Sequence, residues 1–139
     1  MIATGTGIAP FLSMLKTHLG QKRWRRFVLI HGARYARDLG YFDELSSLAK
    51  AHSDVFYIPA TTREAPGSAW SGLRGRVQTL LEGNTYKNAV GIELDPNETH
   101  VFLCGNPEMI DAVQAVLEAR GFKEHSKKDP GNIHVERYW

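Results

Sequence analysis

The chain has 139 residues, 42% of them apolar and 23% charged, with a formal net charge of +2. That length and composition suit one ordinary soluble domain with a real core; they exclude a disordered polymer, and no apolar run approaches the roughly 20 residues that span a bilayer. One cysteine, Cys104, excludes a disulfide framework and a Cys-rich metal site, and so mild a charge gives no argument for a nucleic-acid partner.

Met1-Ile2-Ala3 reads as the end of a strand, which turns through Thr4-Gly5-Thr6-Gly7 into a helix. Two glycines let backbone N–H groups approach an anion, Pro10 suits a first helical turn, and the helix N-terminus adds partial positive charge, so the arrangement binds phosphate. Ile8, Phe11, Leu12, Leu15 and Leu19 recur at helical spacing, and Gly20 stops the run. Lys22, Arg23, Arg25 and Arg26 then crowd around Trp24, either as a solvated turn or as a docking patch for an acidic partner. Residues 27–31 read as a strand, and Asp38 is placed to cap a helix carrying Phe42, Leu45, Leu48 and Ala49. A strand over 55–58 is ended by Pro59. Segment 61–75, rich in Gly, Ser, Pro and Thr, reads as a long loop, and Val77, Leu80 and Leu81 suggest a short helix after it.

Residues 83–99 read as irregular, and 101–104 as a buried strand. Asn106 caps a helix with Pro107 at its first position and Met109, Ile110, Val113, Val116 and Leu117 on one face; Gly121 stops it. A last strand runs through Ile133, His134 and Val135 toward Tyr138-Trp139. Strands separated by helices predict an α/β fold: a doubly wound parallel sheet with helices on both faces. Ligands bind such sheets outside the C-terminal ends of the strands, and segments 4–7, 31–34, 61–63 and 104–107 all fall there. His31 reads as strand-end packing. No histidine pair at ligand spacing has a supporting carboxylate or Cys, which argues against a metal, and no nucleophile elbow is present. Nothing at the N-terminus resembles a signal peptide, so the cytoplasm is the expected compartment, with no membrane partner.

The glycine turn with Pro10, the run Cys104-Gly105-Asn106-Pro107 and the terminal Tyr138-Trp139 closely resemble the NADP-binding domain of the ferredoxin–NADP reductase family, and within it the bacterial ferredoxin/flavodoxin–NADP reductases that end in Tyr-Trp. The resemblance covers essentially the whole chain and takes in His31-Gly32-Ala33-Arg34-Tyr35-Ala36, Thr62-Arg63-Glu64, Gly75-Arg76-Val77 and residues 135–139. It implies a five-stranded sheet in the order 3-2-1-4-5 and an NADP(H)-binding domain over 1–139. It also implies a flavin-dependent oxidoreductase: hydride transfer between NADPH and FAD in the intact enzyme, with electrons delivered singly to ferredoxin or flavodoxin.

Carried onto this chain, the resemblance implies that Thr4, Gly5, Thr6 and Gly7 cradle the pyrophosphate and that Arg34, Arg63 and Arg76 hold the 2′-phosphate, with Arg74 a competitor for Arg76. A dianionic phosphate independently suits planar guanidinium forks, whereas NAD-type folds place an acidic residue on the ribose hydroxyls. Glu64 follows Arg63 directly, and its direction is not legible in the sequence. Cys104 is either a small core residue or, as the resemblance implies, the cysteine beside the nicotinamide that helps place its hydride-carrying carbon. Gly105 gives the ring room, Asn106 opens the next helix, and Glu136 matches a glutamate near the same pocket. Tyr138 is implied to face the flavin and Trp139 the adenine; the alternative is a pair that closes the core.

The family's FAD-binding barrel is absent from this sequence, so the chain alone is expected to bind nucleotide, hold flavin weakly or not at all, and be inactive as a reductase. The strand before the turn is central in the expected sheet, yet it keeps only Met1, Ile2 and Ala3. Its neighbours then lack partners over part of their length, at about 1–3 kcal/mol for each buried unsatisfied group. Self-association through the truncated strand is one expected way to fill the gap. Two other readings stand beside the reductase: a stand-alone NADP-binding regulatory module, and the reductase component of an oxygenase.

Overall fold

Apolar side chains alternate along the strands, so each face of the sheet receives its own set of helices. The computed structural model describes residues 1–137. Strands lie at Ile2–Thr4 (β1), Phe27–Ala33 (β2), Val55–Thr61 (β3), Leu73–Arg74 (β4), Val101–Gly105 (β5) and Ile133–Arg137 (β6). Helices lie at Ile8–His18 (α1), Phe42–Ala51 (α2), Thr85–Val90 (α3) and Pro107–Glu118 (α4). All paired strands run parallel, in the order β4-β3-β2-β1-β5-β6. The five expected strands stand in the expected order, and the two-residue β4 adds a sixth at the edge.

One face buries Ile8, Phe11, Leu12 and Leu15 of α1 and Leu45 of α2 against Ala3, Phe27, Leu29, Val55 and Cys104. The other buries Tyr86 and Val90 of α3 and Met109, Ile110, Val113 and Leu117 of α4 against Ile2, Ile30, Ile58, Leu103 and Ile133. The period-2 alternation of Leu29 with Ile30, and of Ala3 with Ile2, divides the two cores.

Local signals misled at three places. Asp38 does not cap α2: its carboxylate accepts the Tyr35 N–H at 3.3 Å inside a 3-10 turn, Ala36–Asp38, and α2 starts after Tyr41, whose φ is +59°. β3 runs through Pro59 to Thr61, because β4 pairs only with Ala60 and Thr61 and nothing on the outer side requires an N–H from Pro59. Segment 83–99 contains α3, closed by Gly91 at φ +81°.

β1 pairs on both sides, but only over Ile2–Thr4. Below it the Met1 ammonium donates to the Val28 carbonyl at 2.8 Å, and the Ile30 N–H donates to the Met1 carbonyl at 2.9 Å. A cavity of 690 Å³ lies there, lined by Met1, Phe27, Val28, Val101 and Phe102 among others. Arg23, Arg25 and Arg26 border it, so the basic cluster sits at the N-terminal end of β2, opposite to the glycine turn.

Candidate functional site

The C-terminal ends of the strands form one edge of the molecule, and β1 opens its centre. After Thr4 the chain passes through a 3-10 turn, Gly5–Gly7, straight into α1. Gly5 has φ +56°, and no atom lies within 4 Å of where its Cβ would stand, so the turn's backbone faces open space. Gly7 is the opposite case: a Cβ there would stand 2.4 Å from the Cys104 carbonyl oxygen. The turn therefore lies directly on the end of β5. Gly105, at φ +142°, closes the same contact from the other side, where a Cβ would meet Thr4 Oγ1 at 2.4 Å. Thr4 Oγ1 accepts the Asn106 N–H at 3.2 Å, and Asn106 Oδ1 accepts the Glu108 N–H at 2.8 Å, capping α4. The N-termini of α1 and α4 thus share one edge, each contributing orphan N–H groups and partial positive charge.

Three arginines follow the C-terminal ends of β2, β3 and β4, at the same end of the sheet as this turn. Ala33 pairs with Thr61, and the Arg63 N–H donates to the Arg34 carbonyl at 2.9 Å, which sets Arg34 and Arg63 side by side. Thr61 also pairs with Arg74, and the Gly75 N–H donates to the Thr61 carbonyl at 2.9 Å, which brings Arg76 to the same corner. The side chains of Arg34, Arg63 and Arg76 are exposed and form no hydrogen bond or ion pair among the described residues. Arg74 differs: its guanidinium donates to the Glu64 carbonyl at 3.0 Å, Ser68 Oγ at 3.2 Å and the Trp70 carbonyl at 3.3 Å. It holds the loop together, which leaves Arg76 as the one with a vacant fork. The Glu64 carboxylate accepts the Ala36 N–H at 2.6 Å, so the acidic group here is committed to the backbone.

Pro59, His31, Ala3, Cys104 and Glu136 stand in register across β3, β2, β1, β5 and β6. His31 is fully buried, and its Nδ1 lies 3.0 Å from the Tyr57 hydroxyl. Burial pushes its pKa down from 6.5 to about 4, partly offset by the Gly5 backbone. The unfolded chain therefore takes up a proton near pH 6.5 that the folded chain refuses until about 4. Stability is full above pH 6.5 and falls as pH drops toward 4, by on the order of 3 kcal/mol from this group. Urea midpoints between pH 7 and 4 should follow that fall, and His31→Gln should flatten it; an unchanged slope refutes the assignment.

The family model for the oxidoreductase NAD-binding domain matches residues 1–115. The chain belongs to that family. The flavodoxin/ferredoxin–NADP reductases of Buchnera aphidicola subsp. Baizongia pistaciae and Shigella flexneri are 37% and 36% identical to this NAD-binding domain, over 100% of this chain and 55% and 56% of their own lengths. The crystal structure of a ferredoxin NADP+ reductase from Neisseria gonorrhoeae with bound FAD and NADP is similar at a TM-score of 0.88 and 34% identity, covering 100% of this chain and 55% of that one. The chain spans about half the length of the curated relatives it matches. These similarities bear out the resemblance drawn from the motifs.

The residues singled out in the sequence of this NAD-binding domain divide into three groups. Thr4, Gly5, Thr6, Gly7, Gly105 and Asn106 make one continuous edge, and Arg34, Arg63 and Arg76 make its rim. Cys104 is fully buried in the core on the α1 side and has no exposed surface, while Glu136 beside it is exposed. Tyr138 and Trp139 lie outside the described residues. Sequence reasoning missed the anchoring role of Arg74 and the His31–Tyr57 pair. The first depends on how the 61–75 loop folds back on itself and the second on a partner 26 residues away, and no residue pattern signals either.

Proposed function

We propose that this chain is the NADP(H)-binding domain, residues 1–139, of a flavin-dependent ferredoxin/flavodoxin–NADP+ reductase. The observation that carries the reading is the group Arg34, Arg63 and Arg76, exposed and without partners among the described residues, at the same end of the sheet as a glycine turn whose Gly5 and Thr6 are exposed. A 2′-phosphate dianion suits such forks, and Oε1 of Glu64, the nearby acidic group, accepts the Ala36 N–H. Residues 4–7 and the N-termini of α1 and α4 supply N–H groups for the diphosphate.

Bound here, NADPH would supply a hydride for the FAD of the intact enzyme, and through it single electrons for ferredoxin or flavodoxin. Gly105 lets the end of β5 pack directly on Thr4, and Glu136 offers an exposed carboxylate on the neighbouring strand. Cys104 lies under that surface and sets the position of the strand end, a geometric role suited to hydride transfer. We assign Tyr138 and Trp139 to the flavin and adenine, and the intact enzyme to the cytoplasm. No helix among the described residues is long and apolar enough to cross a membrane.

Calorimetric titration of this chain with NADP+ and, separately, NAD+ tests the reading. NADP+ binding at least about tenfold tighter than NAD+ is expected, equivalent to one good charge-assisted interaction. Equal affinities, or no binding by a chain with a cooperative melt, would overturn it.

A further inference from the structure

His31 is fully buried in β2, paired with Ala3, two residues before the glycine turn begins at Gly5. Its Nδ1 meets the Tyr57 hydroxyl at 3.0 Å, and its Nε2 is buried without a hydrogen-bond partner among the described residues. The Gly5 backbone acts on the ring in the sense that favours its protonated form, as a carbonyl oxygen does. Tyr57 is itself braced by Phe42 of α2, at 6.0 Å between ring centroids, and Phe42 by Trp70 of the arginine-bearing loop, also at 6.0 Å. The ring thus has one nitrogen engaged and the other buried and unpartnered, on the strand residue that pairs with Ala3, two residues before Gly5.

We propose that His31 is a positioning residue for the nucleotide diphosphate: the Tyr57 hydroxyl donates to Nδ1, Nε2–H is directed at the Gly5 carbonyl, and the peptide that follows is thereby aimed at the ligand. The physical step is peptide planarity. In a trans peptide the C=O of one residue and the N–H of the next point in opposite directions. Drawing the Gly5 carbonyl toward His31 would therefore turn the Thr6 N–H away from the buried ring, at a step of the chain where Gly5 and Thr6 are exposed. Gly5 tolerates this because its φ of +56° carries no Cβ penalty. The ring stays neutral at physiological pH because it is buried, so it orients the turn without adding charge beneath the anion.

The inference rests on the NADP(H) reading, and the test separates the two. Wild type, His31→Leu and His31→Gln are titrated with NADP+ and with 2′-AMP, which has the 2′-phosphate and no diphosphate. His31→Leu should weaken NADP+ about tenfold, the size of one lost hydrogen bond, and leave 2′-AMP within about twofold. His31→Gln, which retains an amide donor of similar reach, should recover most of the loss. Unchanged NADP+ affinity in His31→Leu, or an equal loss for both ligands, overturns the positioning role while sparing the NADP(H) reading. Failure of the wild type to bind NADP+ overturns both. Should the leucine variant not fold, 15N NMR of the wild-type imidazole still decides: the Nε2–H tautomer is expected, converting in part to Nδ1–H in Tyr57→Phe, and a wild-type Nδ1–H tautomer refutes the arrangement.

Discussion

Alanine at Arg63 or at Arg76 is expected to weaken NADP+ binding by about ten- to a hundredfold each, while NAD+ affinity stays within about threefold. Both side chains are exposed and lack partners among the described residues, so the substitutions remove no intramolecular contact. Surface changes of that kind leave stability within about 0.5 kcal/mol, which ties the loss to the ligand. A guanidinium that meets a phosphate through two parallel donors loses both on truncation, and lysine restores the charge without the fork. Arg74→Ala supplies the contrast. Its side chain holds Glu64, Ser68 and Trp70 together, so its loss should loosen segment 61–75 and weaken NADP+ indirectly, with faster proteolysis of that segment. Titrations of the single variants with both nucleotides check the prediction. An equal loss of NADP+ and NAD+ at Arg63 and Arg76 would place these residues away from the 2′-phosphate.

Gly7→Ala and Gly105→Ala should each destabilise the fold by more than about 3 kcal/mol, close to the whole stability of a marginal domain. At Gly7 the added methyl would stand 2.4 Å from one backbone oxygen and 2.7 Å from its carbon, both belonging to Cys104, so a strand would have to move. At Gly105 the methyl would meet Thr4 Oγ1 at 2.4 Å and the Thr4 backbone at 3.0 Å, in a φ region of +142° that L-residues avoid. Gly5→Ala is milder for folding: open space surrounds it, and only its φ of +56° carries a cost, about 1–2 kcal/mol. Its new methyl would, however, stand where the diphosphate is proposed to lie. Urea denaturation of the three variants should therefore rank Gly7 and Gly105 well above Gly5, with Gly5→Ala folded but weakened for NADP+. Tolerance of alanine at Gly7 or Gly105 would mean that the turn does not rest on the end of β5 as described.

Much of this protein was legible in the sequence because the signals are local. The 3.6-residue spacing of Ile8, Phe11, Leu12 and Leu15 and the Asn106-Pro107 opening of α4 act over a few residues, and both appear where their patterns point. The glycine turn was legible for the same reason. Asp38 was not: its oxygen had two nearby N–H groups to choose from, and the 3-10 turn at Tyr35 took it before α2 could. Pro59 read as a stop because its missing N–H matters only if a neighbour needs it, and that neighbour, β4, ends short of it.

The site divides along the same line. Its place at the strand ends and the turn Thr4 to Gly7 followed from motif and topology, whereas Arg34, Arg63 and Arg76 were named through the resemblance to the reductase family. What each of them touches is a long-range matter. Glu64 meets the Ala36 N–H and His31 the Tyr57 hydroxyl through groups brought together across the sheet, while Arg74 is taken up by its own loop and Arg76 is not. Amino-acid order alone determined the fold and the phosphate-binding character of the glycine turn, through local periodicity and turn chemistry; only the tertiary structure decided which polar groups are already engaged, because strand pairing sets partners 26 to 28 residues apart, such as His31 with Tyr57 and Ala36 with Glu64, within hydrogen-bonding reach.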